Sequence, residues 1–96
     1  MHDIGILFDL DGVIYQGEAL ISGAKESINL LRQNNIPCRF ITNTTRMTKK
    51  NLVTKLQAMG LSLEINEVFA APHAAVEYCK IKGYKKIELV VPDRSM

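Results

Sequence analysis

Two carboxylates stand two residues apart at the end of the chain's first apolar run, Asp9 and Asp11, and Gly12 follows them. On an extended strand that spacing puts both side chains on one face, where their repulsion calls for a shared proton or a cation. Mg²⁺ suits such a pair, because this hard ion is held by one or two carboxylates together with waters and a phosphate. The pair also suits phosphoryl chemistry, one carboxylate attacking phosphorus while the other handles the leaving-group proton. A second polar set, Thr42 and Asn43, closes a later apolar run. The plainer alternative is a turn, since Asp and Gly are common where a strand ends and the acids could serve only to cap it.

For the two sets to act together, the elements before them must bring them to one place. Residues 4–10 form an apolar run broken only by Asp9, with a length and β-branched content that predict a strand buried on both faces. A helix is expected over 24–33, with Ser22 as N-cap and Asn34-Asn35 before Pro37 as its stop. A strand over 38–42 follows, then a helix over 48–59 capped by Thr48 and closed by Gly60. A short strand over 68–71, a helix over 72–82 with Pro72 in its first turn and Gly83 after it, and a strand over 87–91 complete the pattern. Alternation of this kind argues for an α/β, Rossmann-like parallel sheet. Ligands in open parallel sheets sit at the carboxyl ends of strands, and strands joined by a right-handed crossover are commonly neighbours. Asp9 and Asp11 are therefore expected beside Thr42 and Asn43 as a small polar cup.

Composition narrows the partners. The 96 residues carry 12 Lys+Arg against 10 Asp+Glu, a net charge of +2, and 47% of them are hydrophobic. This is one domain at most, and no basic face announces a nucleic acid. No stretch approaches the ~20 apolar residues of a membrane span. Cys38 and Cys79 are far apart, without the clustered Cys and His of a zinc site, so they are read as core thiols of a reduced, cytoplasmic protein. His2 and His73 stand alone, and Arg46, Lys49 and Lys50 read as a solvated first helical turn rather than as a steering patch. Asn43-Thr44-Thr45 fits a glycosylation sequon, but no secretory leader precedes it. A calcium loop starting at Asp9 fails because Val13 takes a ligand position and Leu20 stands where Glu is required.

Phe8-Asp9-Leu10-Asp11-Gly12-Val13-Ile14-Tyr15 resembles motif I of the haloacid dehalogenase superfamily, and Phe40-Ile41-Thr42-Asn43-Thr44-Thr45 resembles its motif II. The Thr-Asn form of the latter is similar to the branch that carries a cap of the second type. The Arg39-Phe40 pair and Ala71-Pro72-x-Ala74-Ala75 add to that likeness. The resemblance implies a Mg²⁺-dependent phosphatase acting through an aspartyl-phosphate on a small phosphorylated compound, a phosphoramidate or pyrophosphate. It implies Asp9 as nucleophile and Asp11 as the acid/base. Thr42 would hydrogen-bond the phosphoryl group. Asp9 and Asp11, the latter through its backbone carbonyl, would hold the metal. Asn43, Gly12 and the flap over 13–17 would shape the entrance.

The same resemblance raises an expectation of incompleteness. Such proteins continue to a motif III Lys and a motif IV acidic pair, and Lys85, Lys86 and Asp93 cannot be matched to either. Residues 1–83 are thus expected to be the N-terminal part of a core and 84–96 its last strand and the start of a cap linker, with the chain truncated before or within the cap. An open sheet edge predicts self-association, and a homo-oligomer is left open. The alternative function is a non-catalytic α/β fragment that binds phosphate or a protein. A phospho-acceptor receiver domain is disfavoured, because its acceptor usually ends the third strand rather than the first.

Overall fold

The computed structural model describes residues 4–42 and 47–91. Six strands and three helices follow in the order β1 (Ile4–Asp9), β2 (Tyr15–Gln16), β3 (Ala19–Leu20), α1 (Ala24–Gln33), β4 (Cys38–Ile41), α2 (Lys49–Ala58), β5 (Val68–Phe69), α3 (Pro72–Ile81) and β6 (Lys86–Val90). A single 3₁₀ turn, Ile65–Glu67, precedes β5. β1, β4, β5 and β6 form one parallel sheet in the order β5-β4-β1-β6, while β2 and β3 pair antiparallel as a separate hairpin. The expected α/β, Rossmann-like architecture is therefore present.

That order follows from where each strand can be satisfied. β1 is the most apolar strand and takes the interior, with β4 on one side and β6 on the other. The path runs outward through β4 to β5 and then returns across the sheet to β6. Right-handed crossovers running in opposite directions put their helices on opposite faces. Ile28 of α1 and Leu52, Val53 and Leu56 of α2 accordingly share one cluster with Phe8, Cys38, Phe40 and Val68. Ala75 and Cys79 of α3 pack with Leu7 and Ile41 on the other face. Phe8 and Phe40, partners in the β1–β4 register, stack with ring centroids 6.1 Å apart.

The helix ends are mostly local chemistry. Thr48 caps α2, its hydroxyl accepting from the Asn51 amide at 3.1 Å. Pro72 stands in the first turn of α3, where its missing N–H is no loss. α1 departs from expectation, because Gly23 rather than Ser22 is its N-cap. The amide of Ala24 donates to the Ile21 carbonyl at 3.0 Å, closing a turn whose third residue must be left-handed, and Gly23 takes φ 87° there. Among the described residues no helix is long and apolar enough to cross a membrane.

Candidate active site

β1 ends at Asp9, one residue earlier than its apolar pattern suggests, so Asp9 and Asp11 do not lie on one strand face. The cause is Leu10, whose side chain is fully buried and whose backbone knots the loop that follows. Its amide donates to the Ile41 carbonyl at 3.0 Å, and its carbonyl accepts from the amides of Val13, Ile14 and Tyr15 at 3.4, 2.9 and 3.2 Å. Asp9 is thereby held half-buried at the strand end, whereas Asp11 stands exposed on the loop, bridged through its backbone to Tyr15. Gly12 adopts φ 86°, a conformation costly for a residue with a Cβ, and its amide donates to the Tyr15 carbonyl at 2.9 Å.

The second polar set meets the first at the neighbouring strand end. Asp9 is in register with Ile41, so Thr42 follows immediately beside it. Thr42 is 6% exposed, the one polar residue in the buried core of the described residues, and its amide donates to the Phe69 carbonyl at 2.9 Å. Asn43, expected to complete the cup, lies outside the described residues, as do Arg46 and Asp93. Lys49 stands exposed in the first turn of α2, as expected, and its ammonium also donates to the Val68 carbonyl at 3.2 Å.

A β-hairpin that the element pattern did not foresee follows this strand end. Tyr15 pairs with Leu20 and Gln16 with Ala19, and the intervening Gly17 takes φ 63°. A Gly between two short runs is the signal that could have revealed it. The hairpin is anchored by buried Ile14 and Tyr15, and the amide of Ile21 closes its base on the Ile14 carbonyl at 2.8 Å. Lys55 of α2 lies over the Tyr15 ring, its ammonium 5.0 Å from the centroid, and 3.5 Å from the Glu18 carboxylate. Burial pushes the Tyr15 hydroxyl above its ordinary value, the negative charge of Asp11 adds to that, and the Lys55 cation opposes it.

The donors at the strand end are all hard oxygens, the carboxylates of Asp9 and Asp11 and the Asp11 carbonyl. Among the described residues no group of three His, Cys, Asp or Glu gathers as a self-sufficient metal cage. Hard oxygens of this kind fit Mg²⁺, which keeps waters and substrate oxygens in its shell. The thiols are elsewhere, Cys38 and Cys79 being free and buried on opposite faces of the sheet.

Comparison with known proteins gives a consistent family. Residues 6–96 match the model of a family described as haloacid dehalogenase-like hydrolase. The chain is 33% identical over 81 residues to phosphoglycolate phosphatase 2 of Arabidopsis thaliana, covering 83% of this chain and 27% of the relative. It is 32% identical over 91 residues to haloacid dehalogenase-like hydrolase domain-containing protein 2 of Mus musculus, covering 95% of this chain and 35% of that one. A 4-nitrophenylphosphatase from Thermotoga maritima superposes with a TM-score of 0.65 at 25% identity, over 80% of this chain and 29% of that one. The chain thus spans between about a quarter and about a third of the length of these relatives.

Proposed function

The chain belongs to the haloacid dehalogenase-like hydrolase family, and we propose that it carries the nucleophile half of a Mg²⁺-dependent phosphatase acting on a small phosphorylated compound. The observation that carries this reading is the strand-end arrangement itself. Asp9 closes an interior strand beside the buried Thr42, while Asp11 is offered from a loop above it. A nucleophile at a strand end and an exposed acid on a hydrogen-bonded loop beside it suit phosphoryl transfer, where positioning and charge stabilisation dominate.

In this reading a carboxylate oxygen of Asp9 attacks phosphorus as the bond from phosphorus to the leaving oxygen breaks. Protonated Asp11 gives its proton to that oxygen. Asp11, now a carboxylate, takes a proton from water, and the water oxygen attacks phosphorus as the bond to Asp9 breaks, releasing phosphate and restoring both acids. The Thr42 hydroxyl donates to a phosphoryl oxygen, and Gly12 leaves room for substrate to approach. Asn43 is assigned to the entrance. Asp9 and the Asp11 carbonyl would hold Mg²⁺, which when bound supplies charge neutralisation at phosphate. The relatives named for phosphoglycolate and 4-nitrophenyl phosphate support small phosphate esters as substrates, with phosphoramidates and pyrophosphate as the further candidates.

The test is phosphate release from 4-nitrophenyl phosphate, 2-phosphoglycolate and pyrophosphate by the complete natural protein that carries these residues, with and without Mg²⁺. Asp9→Asn is expected to lower turnover by on the order of 10³ or more while leaving the unfolding midpoint unchanged. An acid-stable, alkali-labile phosphoryl group should be trapped on the unsubstituted protein and be missing from the variant. Turnover that survives Asp9→Asn would remove Asp9 as nucleophile and move weight to a phosphate-binding role.

A further inference from the structure

The Lys55 side chain belongs to neither Asp9 nor Asp11, yet it adds a polar link between α2 and the hairpin, whose Ile14 and Tyr15 already share the apolar cluster of Leu52, Val53 and Leu56. Its helix is a fixed base: Leu52, Val53 and Leu56 are buried in the α1/α2 face, and Thr48 caps the first turn. From that base the ammonium lies 5.0 Å from the centroid of the Tyr15 ring. Tyr15 is 8% exposed and the Lys55 side chain 24% exposed, so the cation–π contact is partly shielded from water, and shielding strengthens it. The 3.5 Å approach to Glu18 contributes less, because the Glu18 side chain is 89% exposed and an ion pair in water is weak.

Tyr15 in turn grips the loop that bears Asp11. Its carbonyl accepts from the Gly12 amide at 2.9 Å, its amide donates to the Leu10 carbonyl at 3.2 Å, and its backbone bridges that of Asp11. A cation on a helix seated by one buried face thus reaches the loop of an exposed acid through one aromatic residue. We propose that Lys55 is a positioning residue, clamping the β2–β3 hairpin through the Tyr15 ring so that the Asp11–Gly12 loop keeps one geometry. The catalytic part of this proposal rests on Asp11 being the acid/base; the clamp itself does not.

Two variants and two readouts separate these parts, all in the complete natural protein. Lys55→Met keeps the apolar stem and removes the cation, whereas Lys55→Arg keeps the cation. In Lys55→Met, the amides of Gly12, Tyr15 and Ile21 are expected to exchange with solvent about tenfold faster, while the amides of Phe8 and Phe40 keep their protection. Turnover of 4-nitrophenyl phosphate should show kcat lowered by about tenfold with KM changed by less than about twofold, and Lys55→Arg should restore both readouts. Unchanged exchange at Gly12 and Tyr15, or an equal loss of protection at Phe8 and Phe40, overturns the clamp. Faster hairpin exchange with an unchanged kcat overturns the positioning role. Turnover that survives Asp11→Asn overturns the acid/base reading, and the exchange result then still decides the clamp.

Discussion

β1 has a parallel neighbour on each side, and the two flanks differ in how they are packed. On the β4 side, Cys38, Phe40 and Ile41 are buried, α1 and α2 cover one face and α3 the other. On the β6 side the strand satisfies the backbone of β1 from Ile4 to Phe8, but Leu89 is 54% and Val91 53% exposed. Ile81, at the end of the helix leading to β6, is 82% exposed. The difference separates two requirements of an interior strand. Hydrogen-bond partners pair β1 from both sides, whereas the buried strand residues packed beside its end come from β4. The candidate site follows the packing: Asp9 sits across from Ile41, and Thr42 is tied onward to β5.

The largest test of that asymmetry replaces equivalent apolar bulk on the two flanks. Phe40→Ala empties the centre of the α1/α2 face and is expected to cost about 3–5 kcal/mol in a denaturant titration. Leu89→Ala, at a half-exposed position, should stay within about 0.5 kcal/mol. Comparable costs would mean that β6 is packed as firmly as β4. A smaller effect is expected where β1 touches the β6 flank directly. A Cβ at Gly5 would lie 2.8 Å from Cδ2 of Tyr84 and 3.5 Å from the Cys79 sulfur. Gly5→Ala should therefore cost about 1–3 kcal/mol by overpacking. It should raise amide exchange in β6 before β4 does so; equal loosening of both strands would blur the comparison.

The smallest effect is a pH dependence that samples both faces. Burial pushes the thiols of Cys38 and Cys79 above their ordinary value of 9.0, with nearby arginines opposing, Arg32 and Arg39 at Cys38 and Arg39 at Cys79. A thiol raised in this way keeps its proton in the folded chain after the unfolded chain has lost it. Its stabilisation is complete below the unfolded value and is lost as pH rises through the folded one. The unfolding midpoint should thus fall as pH is raised above 9.0, and its slope should flatten in Cys38→Ala and in Cys79→Ala. A midpoint that does not change across that range would show that neither thiol is shielded.

Much of the frame was legible before any coordinates. The helix expected over 24–33 is α1 (Ala24–Gln33), Thr48 does cap α2, and Cys38 does open β4. Each rests on periodicity or on a side chain reaching a backbone group a few residues away. Of the candidate site, the placement of Asp9 and Thr42 at neighbouring strand ends was legible in the pattern. The expectation that failed there was the shared strand face of Asp9 and Asp11, because Leu10 is pulled into the core and bends the chain between them. A flap over 13–17 was expected from the resemblance, but its pairing as a hairpin was not read from the pattern, because strands of two residues carry too little of it to register.

The sequence by itself therefore determined the kinds of elements, most of their ends and the identity of the polar residues that close β1 and β4. Those depend on bonds within one turn or one strand, which a short window of residues contains. The tertiary structure decided that β6 returns to the far side of β1, that Thr42 is buried beside Asp9, and that Lys55 reaches Tyr15. These are meetings between residues distant along the chain. They are selected only when whole faces must be covered and every interior strand must find a partner on both sides.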